Sequence, residues 1–256
     1  MLRRALLLLA LLALGPAPAA FAAALDALPG AGDLDIPLPA APAFDRAGTM
    51  ICVDPGHPNS FNPATDTVNG TTENRINWQV GVRLQRVLKE RGYEVVMTRN
   101  AELNYVENKD RARLCNIGSA LVVHLHCEST PGTGFALYYP DRQGVHDYKD
   151  DPENGFRGPE QAVITASKPL AEVLAAAMEK GLAGDLRRQG VYGDSRTAVG
   201  SRQGALTYSI FSRIPTVTIE MAVLTNKKDA AFIKSEAGQE KMAGSIAEGI
   251  SRYLAP

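Results

Sequence analysis

The chain has 256 residues, 45% of them hydrophobic and 21% charged, with a formal net charge of −1. Its 27 basic and 28 acidic residues balance, and neither sign forms a long run. Nothing in that balance suggests nucleic acid or an anionic membrane surface as a partner.

Met1-Leu-Arg-Arg4 precedes an apolar run over residues 5–14, which Gly15-Pro16 breaks; Ala20-Phe-Ala22 then offers small residues. This pattern predicts a secretory signal peptide over residues 1–22. The run is too short for a transmembrane helix, which needs about 20 apolar residues. Residues 23–48 are rich in Ala, Pro and Asp without a helical or strand period, so they read as a flexible leader. Residues 49–256 have the length of one α/β domain. No later segment is long and apolar enough to span a bilayer after signal cleavage.

A β-rich run over 50–53 ends at Asp54-Pro-Gly56, with His57 directly after it. Residues 58–70 are polar, with Asn, Thr and Pro, and predict a loop. Thr71 or Thr72 can cap a helix from Glu73 to about residue 91, because Ile76, Val80, Leu84, Val87 and Leu88 share one face. Gly92 ends it. A strand over 93–98 follows, then a helical stretch over about 106–117. Residues 120–127 and 135–139 read as strands. The polar stretch 141–161 exceeds the usual connection length and reads as a loose rim or substrate-binding loop. A helix over 167–182, a Gly- and Arg-rich stretch over 187–208, a strand over 216–220 and helices over 229–232 and 239–254 complete the chain. Alternating strands and helices predict an α/β fold: a mostly parallel twisted sheet with helices on both faces.

Export permits disulfides. Of the three cysteines, Cys52 and Cys127 lie on strands that could be neighbours, so a bridge between them is open; the odd count favours buried free thiols for all three, Cys115 included.

His57 and His126, two of only four histidines, fall at strand ends, as does Glu220; Glu73 opens a helix. In open α/β sheets, sites form beyond the carboxyl ends of the strands. Two histidines and one carboxylate make a catalytic-type zinc shell with one position left for water. Glu220 is then a spare carboxylate able to move protons. Each residue also has a plain structural reading: a turn histidine, a helix-start carboxylate favouring the dipole, or a glutamate paired with Arg99 or Arg213. His124 shares a face with His126 and reads as a buried, hydrogen-bonded neighbour of the site rather than a ligand.

An ordered set of motifs then carries a resemblance. It comprises Asp54-Pro-Gly-His57, Gly70-Thr-Thr-Glu73, Thr98-Arg99, Arg111 with Asn116, His124-Leu-His126-Cys-Glu128, Ser167-Lys-Pro-Leu-Ala171, and Pro215 to Glu220 with Asn226. Together these resemble the zinc-dependent N-acetylmuramoyl-L-alanine amidases of the amidase-3 type, cell-wall hydrolases with a phosphorylase/hydrolase-like fold. The resemblance runs from about residue 50 to 253. It implies Zn2+ as cofactor, His57, Glu73 and His126 as metal ligands, Glu220 as catalytic acid and base, and peptidoglycan (a muramoyl-peptide) as substrate. Departures surround the site: Pro58-Asn59 where Gly is usual, Cys127-Glu128 for a small residue and Asn, and His124 for Ser. The implied activity is hydrolysis of the amide between N-acetylmuramic acid and L-alanine, in the periplasm or cell envelope. A different zinc peptidoglycan hydrolase (a peptidase or deacetylase) and a non-catalytic wall-binding or regulatory module are the alternatives. Some relatives need a partner to uncover the metal; an activator of this chain is not identified by its sequence.

Overall fold

A computed structural model describes residues 49–255. The expected signal peptide (1–22) and leader (23–48) lie outside the described residues. Six strands make the central sheet: β1 (Met50–Pro55), β2 (Glu94–Met97), β3 (Leu121–Glu128), β4 (Phe135–Tyr139), β7 (Arg188–Gly193) and β8 (Thr216–Val223), in the order β2-β1-β3-β8-β4-β7. Strands β2, β1, β3 and β8 are mutually parallel, whereas β4 runs antiparallel to β8 and carries β7 parallel to itself. The sheet is therefore mostly parallel, as expected, with two reversed strands at one edge.

Period-two alternation sorts the side chains of these strands onto two faces. Ile51, Val53, Leu121, Val123, Leu125, Val217 and Ile219 point to one face. There they pack against α1 (Glu73–Glu90), α3 (Gln161–Gly181), α6 (Lys227–Lys234) and α7 (Glu236–Tyr253). On α1 the buried apolar residues are Ile76, Val80, Leu84 and Leu88, one helical stripe. Truncating any of these leucines to alanine costs about 2–5 kcal/mol, so this face carries most of the core. The other face holds a smaller cluster: Cys52 and Val122 under Ala112 and Cys115 of α2 (Asn108–Cys115) and Tyr208, Ile210 and Phe211 around α5 (Thr207–Phe211). Because these helices are short, the second face stays partly open at its carboxyl end, and that is where the polar strand residues collect.

Helix caps follow the sequence closely. The Thr72 side chain accepts from Arg75 N, and Asn226 accepts from Lys228 N and Asp229 N. Helix α3 departs from expectation: it begins at Gln161, six residues before the predicted 167, and runs through Pro169. Proline lacks an N–H and so frees the Thr165 carbonyl. Both residues are exposed, which lets water replace the lost bond. Buried Ser167 helps fix the turn, donating to Val163 O and accepting from Thr216 N.

Two further expectations are corrected. Cys52 pairs with Cys115, at a Cα–Cα distance of 5.4 Å, and Cys127 is the buried free thiol. Cys127 lies on the first face of β3 while Cys52 points to the second, so the sheet separates them. The stretch 141–161 is not a loose rim. It forms a hairpin of β5 (Gly144–Val145) and β6 (Arg157–Gly158). His146 packs against Phe211, Tyr148 stacks on Phe61, and Lys109 of α2 holds Asp151 at 2.9 Å. Between β7 and β8 lie a 3-10 turn over Asp194–Arg196 and the four-residue α4 (Gly200–Gln203).

Candidate metal centre

Strand β1 ends at Pro55, and Gly56 N donates to Leu125 O, which holds the turn against β3. A Cβ at Gly56 would overlap the His126 ring, so glycine is what lets the two chain segments meet here. His57 follows with φ +54, in the left-handed region that a non-glycine residue seldom adopts. Its Nδ1 lies 3.0 Å from Asn62 O. A carbonyl only accepts, so Nδ1 carries the proton and Nε2 presents a lone pair. That Nε2 stands 3.6 Å from Glu73 Oε1.

Glu73 is the first residue of α1, set there by its Thr72 cap. Its Oε1 accepts from Cys127 N at 3.2 Å and from Asn77 Nδ2 at 3.4 Å, and lies 2.9 Å from His126 Nδ1. His126 is on the second face of β3, in register with Glu220 of β8. One donor atom from each of His57, Glu73 and His126 falls within 4.8 Å of the other two. The three residues singled out from the sequence as ligands thus come together, on the carboxyl ends of two strands and the amino end of one helix.

The second face also holds a buried relay. Asp54 of β1 is in register with His124 of β3, and its carboxylate bonds His124 Nδ1. Burial opposes the charge on Asp54, but His124 and Arg111 outweigh it and hold the carboxyl far below the usual range. Arg111, fully buried, donates to Asp54 at 2.8 Å, to Pro55 O at 2.9 Å and to Pro58 O at 2.9 Å. His124 Nε2 then faces His126 Nε2 at 2.7 Å, and His124 stacks on Tyr208. Ionised Asp54 can only accept, so His124 Nδ1 carries a proton; a lone pair on His124 Nε2 would then accept from His126 Nε2 and leave the His126 Nδ1 lone pair aimed at Glu73.

This proton arrangement bears on what the cluster can hold. Burial, then His126, lowers the His57 imidazole to about 4 against the pull of Glu73. His126 is likewise lowered, by burial first and then by His124. Burial would raise Glu73, but His126, His57 and the Cys127 N–H outweigh it and bring the carboxyl to about 2. Near neutral pH the set is two neutral imidazoles and one carboxylate, the protonation state in which these groups ligate metals. Ligands about 2.0–2.1 Å from a tetrahedral ion stand roughly 3.3 Å apart, a figure that the 2.9 and 3.6 Å separations bracket. The donor set therefore fits a divalent cation.

Glu220 lies beside this cluster, and its Oε2 is buried with no hydrogen-bond partner. Burial, then the carboxylates of Glu73 and Glu128, push its carboxyl well above the usual range. Arg99 does not pair with it; the guanidinium donates to Pro55 O at 2.9 Å and to Asn74 O at 3.2 Å, bracing the turn instead. In the sequence, Asp54 and Arg111 stand only as motif residues. The signal for their role was the shared face of Cys52, Asp54, His124 and His126, which becomes a contact only once β1 and β3 are known to be neighbours.

Comparison with known proteins agrees with this geometry. The family model for N-acetylmuramoyl-L-alanine amidase of the amidase-3 type matches residues 51–252. The uncharacterized protein YqiI of Bacillus subtilis is 25% identical over 209 residues, covering 80% of this chain and 85% of YqiI. The probable cell wall amidase LytH of Staphylococcus epidermidis is 24% identical over 211 residues; the match covers 81% of this chain and 59% of LytH. The N-acetylmuramyl-L-alanine amidase Ami1 of Mycobacterium abscessus shares the fold, with a TM-score of 0.66, 22% identity, and coverage of 82% of this chain and 100% of Ami1. A family match that spans the whole sheet, from the first residues of β1 to the last helix, has one meaning: the chain belongs to the amidase-3 family of N-acetylmuramoyl-L-alanine amidases.

Proposed function

We propose that this chain is a zinc-dependent amidase that cuts the bond between N-acetylmuramic acid and the L-alanine of peptidoglycan stem peptides. The observation that carries the reading is the buried Glu220 Oε2 without a partner, beside His57, Glu73 and His126. His57 Nε2, His126 Nδ1 and a Glu73 oxygen are the atoms that would hold zinc. When bound, zinc supplies Lewis acidity toward the scissile carbonyl and makes water a nucleophile near neutral pH.

The protein's own groups account for the rest. Glu220 takes the proton of the attacking water and returns it to the nitrogen of the departing alanine. A carboxyl already pushed upward by its surroundings is suited to holding a proton between those two events. Asn62 O and the Asp54–His124 pair keep the two ligand imidazoles in the tautomers that present lone pairs. Residues 1–22 would direct export to the cell envelope, after which residues 49–256 form the catalytic domain behind the 23–48 leader. The Cys52–Cys115 bridge supports an oxidising compartment.

The test is digestion of purified sacculi. New free amino-terminal alanine is expected; free acetate or a released terminal amino acid would replace the amidase reading with a deacetylase or peptidase. Glu220→Gln keeps its metal and loses about 10³-fold or more in turnover, the scale of a lost acid–base group with its transition-state contact. Glu73→Ala loses the metal. An active Glu220→Gln protein, or a fully loaded Glu73→Ala protein, overturns the assigned roles.

A further inference from the structure

We propose that Tyr138, Tyr192 and Arg196 form a subsite beside Glu220 that receives a free carboxylate on the peptide half of the substrate. The inference rests on the amidase reading for the identity of that peptide.

Register places the two tyrosines, and Arg196 lies in the 3-10 turn that follows β7. Ala136 of β4 lies opposite Glu220 of β8, and Tyr138 lies opposite Thr218. Tyr138 in turn lies beside Tyr192 of β7. All of these side chains share the second face of the sheet. With strands about 4.8 Å apart and alternate residues about 6.8 Å apart, the Tyr192 Cα is on the order of 12 Å from that of Glu220. The Tyr192 ring lies back over Gly190, which is in register with Ala136 and so with Glu220, about 9.6 Å away across two strand spacings; about three extended residues span that distance at about 3.3–3.6 Å each.

The subsite is built rather than incidental. The Tyr192 ring lies down over Gly190, where any Cβ would collide with it, and its hydroxyl donates to Gln189 O at 2.9 Å. The Tyr138 ring meets it at 5.6 Å and 45°. The Arg196 guanidinium sits over the Tyr192 ring, 4.5 Å from its centroid. Among the described residues Arg196 has no carboxylate partner, so its fork is free to take one. Burial, Glu128, Glu220 and Tyr192 push the Tyr138 phenol up to about 12 against the pull of Arg196, which keeps it a hydrogen-bond donor.

Charge gives the strip a direction. The Tyr138 phenol stands between the Glu128 and Glu220 carboxyls on one side and the Arg196 guanidinium on the other. An anionic group is accepted at the Arg196 end. In a stem peptide the residue after L-alanine is a γ-linked D-glutamate, whose α-carboxylate stays free unless amidated. That carboxylate is the group of matching charge and reach.

The experiment compares N-acetylmuramoyl-L-alanyl-D-glutamate with its isoglutamine amide. In zinc-loaded full-length Glu220→Gln protein, calorimetric titration is expected to show the acid bound about tenfold more tightly than the amide, as one charge-assisted contact allows. Adding Arg196→Ala abolishes that preference, and Arg196→Lys restores part of it. With Glu220 intact, Arg196→Ala raises KM for the acid about tenfold and leaves kcat within about twofold. Equal preference with and without Arg196, or an equal loss for acid and amide, overturns the subsite. If the unmodified enzyme releases alanyl peptide from neither ligand while the Arg196-dependent preference persists, the subsite stands and the hydrolase reading falls.

Discussion

Single residues here carry effects that their neighbours in sequence do not announce. Asp194 is buried in the turn after β7, where its Oδ2 accepts from Leu206 N at 3.2 Å. Burial raises its carboxyl to about 6, against the hydrogen bonds from Ser209 and Leu206. The folded state therefore keeps a proton that the unfolded chain releases near 3.8, so this group makes stability fall as pH rises from about 4 to about 6. A shift of that size corresponds to about 3 kcal/mol. Asp194→Asn, which keeps an acceptor for Leu206 N, should flatten the dependence of Tm on pH in that window and raise Tm at pH 7. Equal pH slopes for the two proteins would show that Asp194 does not titrate as its surroundings require. At the candidate metal centre, too, neighbours remote in sequence set the state of each residue. His57 and His126 were legible in sequence because they follow apolar strand runs, and Glu73 because it follows a capping threonine. The lone pairs that these imidazoles present to the candidate site depend on Asn62 and Asp54, whose roles no local pattern reveals.

At the scale of elements, the bridge from Cys52 of β1 to Cys115 of α2 fastens the thinner face of the sheet. That face has only short helices, so it gains less from apolar burial than the face covered by α1, α3 and α7. The bridge spans 63 residues of chain, and in the chain-entropy account a loop of that length contributes about 4 kcal/mol. Cys115→Ala is expected to lower Tm by roughly 10 °C. An unchanged Tm, or one insensitive to reductant in the unmodified protein, would contradict the pairing. Two element-level expectations failed for identifiable reasons. Helix α3 starts six residues before the expected 167 and runs through Pro169, because an exposed proline can stand inside a helix when water takes the freed carbonyl. The 141–161 stretch carries no local signal of its order: it is polar without an apolar period, and its two strands have two residues each. Its order comes from long-range contacts: His146 on Phe211, Tyr148 on Phe61 and Asp151 on Lys109.

For the molecule as a whole, the candidate metal ties together the end of β1, the start of α1 and the end of β3. These three points are scattered in the unfolded chain, so a cation that binds them stabilises only the folded state. At a zinc concentration about a thousandfold above Kd the gain is about 4 kcal/mol, or roughly 10 °C in Tm for a domain of this size. Chelation should remove that increment and added zinc restore it, while Glu73→Ala should respond to neither; a chelator-insensitive Tm in the unmodified protein would count against the site. The positions of most sheet strands and of α1, α2 and α7, the alternation that makes most of the sheet parallel, and the residue types able to bind a metal were legible in local sequence. Period-two and helical patterns act over a few residues and need no knowledge of neighbours. Strand order, the partner of Cys52, the reversal of β4 and β7, and the proton relay from Asp54 to His126 were decided only by tertiary structure. Each depends on which strands lie side by side, and that is settled by packing the whole core rather than by any one segment.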